Sequence, residues 1–95
     1  MAAYLIVNID IHDLVQYEEY KRLVAPTIAA YGGKYLARGG VAETLEGDWQ
    51  VKRLVVLEFE SVERARQWWS SPEYSEAKGL RQKITDTQMI LVEGL

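Results

Sequence analysis

The sequence predicts an α+β fold of ferredoxin-like type, a βαββαβ sandwich in one domain spanning residues 1–95. Three observations predict it. Short β-branched runs at Tyr4–Ile11, Arg53–Phe59 and Met89–Val92 read as strands, and a hairpin-like stretch from Tyr31 to Val41 adds another. Segments with apolar residues at helical spacing separate them. The resulting order is strand, helix, strand, strand, helix, strand, the split β-α-β pattern, with both helices on the same face of the sheet.

Each element has a local cause. Tyr4-Leu-Ile-Val-Asn-Ile-Asp-Ile11 suits a strand covered on at least one face. Asp13 with Gln16 three residues on forms a capping-box pattern that starts a helix. Its apolar positions Tyr17, Tyr20, Val24, Ile28 and Tyr31 share one side, and Gly32-Gly33 stops it. Pro26 inside this pattern predicts a kink or a split. Ser61 caps a further helix carrying Val62, Ala65 and Trp68. Ser71-Pro72 reads as a fresh cap and first turn leading through Tyr74, Ala77, Leu80 and Ile84.

Alternation along the strands sorts the side chains onto two faces. Leu5, Val7, Ile9 and Ile11 join Val55, Leu57 and Phe59 under the helices. The other face carries Tyr4, Ile6, Leu54 and Val56, an apolar surface without a helix layer of its own. Such a patch marks an association site. Two sheets facing each other across a twofold axis would cover it, so a homodimer is expected.

Composition narrows the function classes. With 14 acidic against 11 basic residues there is no basic field for a phosphate backbone, so no nucleic-acid partner is expected. The chain has no cysteine and one histidine, which removes thiolate chemistry and a His-rich metal site. Neither a metal nor a cofactor is expected. No apolar segment approaches membrane-spanning length, and a cytoplasmic protein without a membrane partner is the expectation.

The polar end of the second face is the candidate site. With the first and third strands side by side and parallel, Asn8 falls beside Glu58 and Asp10 beside Glu60; a hairpin symmetric about Asp48 sets Arg38 opposite Glu58. Asn8, Asp10, Arg38 and Glu58 would then line a pocket in which arginine holds an anionic or carbonyl-bearing metabolite and a carboxylate moves a proton. A satisfied ion pair that only fixes the dimer explains the same residues, and both readings stay open. His12 reads as a solvated loop residue, Trp68 and Tyr74 as core, and Trp69 is left unassigned.

Tyr31-Gly-Gly-Lys-Tyr-Leu-Ala-Arg-Gly-Gly40, Leu45-Glu-Gly-Asp-Trp49, Arg53-Leu-Val-Val-Leu-Glu-Phe59 and Ser71-Pro-Glu-Tyr74 together resemble the domain-of-unknown-function 1330 family, within the dimeric α+β barrel superfamily. The resemblance covers nearly the whole chain. It implies a homodimer whose two sheets form a barrel, and it implies no established reaction. Related barrels include cofactor-free monooxygenases, isomerases and haem-binding enzymes, but fold kinship does not carry a mechanism.

Overall fold

The computed structural model describes all 95 residues. Its elements are β1 (Ala3–Ile11), α1 (Leu14–Ala30), β2 (Lys34–Arg38), β3 (Arg53–Phe59), α2 (Val62–Trp69), α3 (Pro72–Ile84) and β4 (Thr85–Glu93). They form one four-stranded sheet in the order β2-β3-β1-β4, with every neighbouring pair antiparallel. No helix is long and apolar enough to cross a membrane.

Two expectations are corrected. The architecture is a single open sheet, loosely ferredoxin-like, and not two sheets facing each other in a dimeric α+β barrel. In addition, β1 and β3 are antiparallel: the α1 crossover brings β2 back parallel to β1, and the β2–β3 connection then reverses the chain. Ile6 still lies beside Val56, but Asn8 now pairs with Leu54 and Tyr4 with Glu58. Reversing the direction of β3 thus moves Glu58 to the far end of the face from Asn8.

The local signals produced the expected starts and stops. The Asp13 side chain accepts from the Gln16 backbone amide at 3.0 Å and from the Gln16 side-chain amide at 2.8 Å, which satisfies an orphan donor of the first turn. Ser71 does double duty: its Oγ accepts from the Tyr74 amide at 3.1 Å and donates to the Trp68 carbonyl at 2.8 Å, joining the end of α2 to the start of α3. Gly32 takes φ 74°, the left-handed stop of α1. Gly33 is required for a different reason, since a Cβ there would lie 2.7 Å from the Phe59 ring.

Pro26 does not split α1, which runs unbroken through 17 residues. Proline is exposed there, so the Arg22 carbonyl that loses its helical donor sits on the solvent side of the helix. β4 is longer than the Met89–Val92 run suggests, because Thr85-Asp-Thr-Gln88 pairs with β1 despite its polarity.

All three helices cover one face. The core there holds Leu5, Val7, Ile9, Val55, Leu57 and Phe59 from the strands against Tyr17, Tyr20, Val24, Ile28, Trp68 and Tyr74 from the helices. Trp68 stacks on Tyr74 with ring centroids 4.0 Å apart, and its indole nitrogen donates to Thr27 at 3.0 Å. The uncovered face carries Tyr4, Ile6, Leu54 and Val56, all half-buried, with Ile90 and Val92 of β4 exposed beside them.

Candidate functional site

The anticipated cluster does not assemble. In β2 it is Lys34, not Arg38, that pairs with Glu58, and a further register shift between Tyr35 and Ala37 bulges Leu36 and sets Arg38 beside Val55. That one-residue slip turns Arg38 to the helix-covered side, where its guanidinium lies 4.8 Å over the Tyr35 ring. Glu58 stays on the open face and pairs with Lys34 at 3.3 Å. Asn8 is used structurally: its side-chain amide donates to the Gln50 carbonyl at 3.1 Å and its oxygen accepts from the Lys52 amide at 2.9 Å, pinning the end of the long β2–β3 loop. Asp10 lies across the β1–β4 ladder from Asp86.

The charged groups that the fold does bury are elsewhere. Arg81 of α3 is 3 % exposed. Its Nε donates to the Tyr74 hydroxyl at 3.2 Å, and that hydroxyl lies 3.3 Å from the Tyr20 hydroxyl. The ion pairs of the protein are His12 with Asp86, Lys21 with Glu18, Arg22 with Glu19 and Lys34 with Glu58, so no carboxylate neutralises Arg81. Burying a guanidinium without a counter-charge is unfavourable by several kcal/mol, on the order of the desolvation cost of an ion in a protein interior. A second guanidinium, Arg53, lies 5.4 Å over the Tyr17 ring, and its Nε is buried without a hydrogen-bond partner.

Two spaces adjoin these residues. A small cavity of about 30 Å³, room for a water or two, lies between α1 and the sheet beside Tyr17, Tyr20, Tyr35, Tyr74, Arg38 and Arg53. A much larger open space of about 1330 Å³ wraps around the edge strand β4 onto both faces of the sheet, and on the helix-covered side it forms a groove walled by α2 and α3. Arg81 borders it, with Arg66, Trp69 and Gln82 from the helices and Thr85, Thr87, Met89 and Leu91 from β4; Asn8 and Asp10 reach its outer rim. Trp69 is held in place by Lys78, whose ammonium lies 4.1 Å from the ring centroid. Thr85 donates to the Arg81 carbonyl at 2.6 Å and meets the Thr87 hydroxyl at 2.7 Å, which fixes the end of α3 on β4.

The groove therefore offers apolar walls, two hydroxyls and an indole around one buried cation, a composition that suits a small ligand with an anionic head. Arg81 was legible in principle: with Tyr74, Ala77 and Ile84 it occupies the buried stripe of α3, so an arginine stands where the helical period asks for an apolar residue. Leu80, read as a core position from the sequence, is only half-buried.

With the fold and these residues in view, the comparisons with known proteins place the chain. Residues 2–95 match the family model described as Domain of unknown function (DUF1330), and the chain belongs to that family. No functionally curated protein matches it. Among solved structures it is similar to the RPA0582 protein of unknown function from Rhodopseudomonas palustris, at 21 % identity and a TM-score of 0.81 over 99 % of this chain and 82 % of that one. It is also similar to a dimeric ferredoxin-like protein of unknown function from Thermobifida fusca, at 16 % identity and a TM-score of 0.69 over 99 % and 92 %. A third is SnoaB, a cofactor-independent oxygenase from Streptomyces nogalater, at 12 % identity and a TM-score of 0.59 over 99 % and 93 %. At these identities the likeness is one of fold.

The tyrosines generate a pH prediction. Burial raises Tyr17, Tyr20 and Tyr35 above the ordinary phenol range, Tyr20 furthest, with the neighbouring Tyr74 hydroxyl adding to the shift. A phenol whose folded pKa exceeds its unfolded value of about 10 contributes stability that is complete below that pH and is lost as pH rises above it. Urea unfolding should therefore show stability falling above pH about 10, and falling less steeply in Tyr20→Phe. Equal slopes for the two proteins would contradict the assignment.

Proposed function

We propose that this protein binds a small anionic metabolite in the groove between β4 and helices α2 and α3, with the Arg81 guanidinium holding the anionic group. The single observation that carries this reading is a guanidinium nearly enclosed by protein, with no carboxylate partner, at the edge of a space large enough for a metabolite. A buried cation retained without a structural counter-ion is expensive unless a ligand supplies the charge. Trp69, Met89 and Leu91 suit an apolar body, and Thr85 and Thr87 suit a carbonyl or hydroxyl. Arg38 and Arg53, also on the helix-covered side, serve the smaller tyrosine-lined cavity in this reading, while Asn8, engaged by the β2–β3 loop, and Asp10 lie at the groove's rim and do not hold the anion. Glu58 is engaged by Lys34 on the opposite face and is the weakest member of the original set.

The same residues favour one catalytic reading. The Arg81 guanidinium, oriented by the bond from its Nε to the Tyr74 hydroxyl, can donate a hydrogen bond to a bound carbonyl and stabilise the negative charge that develops on its oxygen. The Streptomyces nogalater oxygenase supports this only to the extent that a protein of the same fold performs cofactor-independent chemistry.

Arg81→Met separates binding from folding. Methionine fills much the same volume, and replacing a buried charge by an apolar residue is often neutral or stabilising. The variant should melt at or above the wild-type temperature yet lose affinity for small carboxylates such as benzoate by about 2 kcal/mol. Equal affinities in isothermal titration would remove Arg81 from the site.

We further propose that a second copy of the chain covers the open face around Ile6, Leu54 and Val56. Support comes from the apolar character of that face and from the dimeric state of the ferredoxin-like proteins from Thermobifida fusca and Bacteroides fragilis. Sedimentation velocity should show a dimer that Val56→Glu dissociates, since association would bury the new carboxylate without a partner. A wild-type monomer, or an equally tight mutant dimer, would refute it.

A further inference from the structure

At the end of the sheet where α3 passes into β4, the β1–β4 ladder brings together three side chains from opposite ends of the sequence. Asp10 and Asp86 are directly opposed in the register. His12, in the bend that follows β1, has its Nε2 3.0 Å from Asp86 Oδ2. One ligating atom from each of Asp10, His12 and Asp86 lies within 4.8 Å of the others.

We infer that Asp10, His12 and Asp86 form a binding site for a first-row divalent metal ion. The argument begins with the ladder. Like charges directly opposite each other on neighbouring strands are destabilising, and the protein's other ion pairs bring no lysine or arginine to either carboxylate. The imidazole is the sole partner, and it is half-exposed, with 50 % of its side-chain surface accessible. The site thus gathers two carboxylates and one imidazole nitrogen, a donor set that a dication suits.

The backbone around these side chains is fixed. β1 and β4 pair throughout from Ala3–Glu93 to Ile11–Thr85, and the His12 amide donates to the Ile84 carbonyl at 2.8 Å, holding the residue that follows the strand. Side chains on so constrained a backbone reach the spacing of a coordination shell, about 3 to 4 Å between ligand atoms for bonds near 2.1 Å, by small rotations of exposed carboxylates. Three protein ligands leave open positions that face water.

The donor types select the ion. One imidazole nitrogen with two carboxylate oxygens suits Zn²⁺, Mn²⁺ or Fe²⁺, whereas Mg²⁺ and Ca²⁺ favour oxygen donors alone. The absence of cysteine removes the softer competitors for these ions elsewhere in the chain. Asp10 and Asp86 also lie on the rim of the β4 groove, but the metal site stands independently of what the groove binds.

The protein's single histidine makes the test direct, because an untagged sample has one set of imidazole resonances. Titration with Zn²⁺ should shift the His12 ring nitrogens, and trace Mn²⁺ should broaden the amides of Asp10, His12 and Asp86 before any others. Mg²⁺ at the same concentration should do neither. Asp10→Asn and Asp86→Asn, both at exposed positions, should each weaken Zn²⁺ binding at least about tenfold, while melting in metal-free buffer no earlier than wild type, because each relieves the opposed pair. His12 signals that ignore Zn²⁺, or an affinity unchanged in the Asp10→Asn/Asp86→Asn double variant, would overturn the assignment.

Discussion

The constraint on which the structure depends is that every helix lies on the same side of one sheet. Every polar group in that single buried layer must find its partner inside the layer or at its edges. The aromatic residues do so in pairs and chains: Trp68 reaches Thr27, and Tyr20 reaches Tyr74. Arg81 closes the chain at one end with a single bond to Tyr74 and no counter-charge. Its unbalanced cation is what sets the β4 groove apart from an ordinary crease between helix and strand.

One-sided coverage also explains the division of labour across the sheet. The helix-covered side collects guanidiniums stacked on phenol rings, Arg38 on Tyr35 and Arg53 on Tyr17, where cation–π attraction partly offsets lost hydration. The open side keeps its carboxylates, Asp10, Asp86 and Glu58, among half-buried apolar residues. Arg38, Arg53 and Arg81 therefore face the enclosed spaces while these carboxylates face outward, although the chain as a whole is acidic.

The element order, the caps at Asp13, Ser61 and Ser71, and the strand faces were legible in the sequence because each rests on a short-range rule. Asp13 and Gln16 cap within one turn, and alternation assigns Leu5, Val7 and Ile9 to the core whatever the neighbouring strand does. The site was less legible because it depends on pairing. Asn8 and Glu58 part company once β3 runs antiparallel to β1, and Arg38 changes face because Leu36 is bulged out of the ladder. A single shifted residue is invisible to periodicity. Arg81 is the opposite case: its place in the stripe of Tyr74, Ala77 and Ile84 was available from helical spacing, but the eye passes over a charged residue when it counts apolar ones. The expected closed pair of sheets came from fold kinship and from an uncovered face, neither of which determines how a single open sheet is completed.

The most direct test of the account is where a small carboxylate lands on the folded protein. Titrating benzoate into uniformly ¹⁵N-labelled protein and following backbone amides, the Trp69 indole and the arginine Nε–Hε signals locates the contact without any mutation. The account predicts that the Arg81 Nε–Hε, the Trp69 indole and the amides of Thr85 and Thr87 move together along one binding curve. Movement confined to the open face, at Tyr4, Ile6, Leu54 and Val56, with the Arg81 signal unchanged, would contradict it.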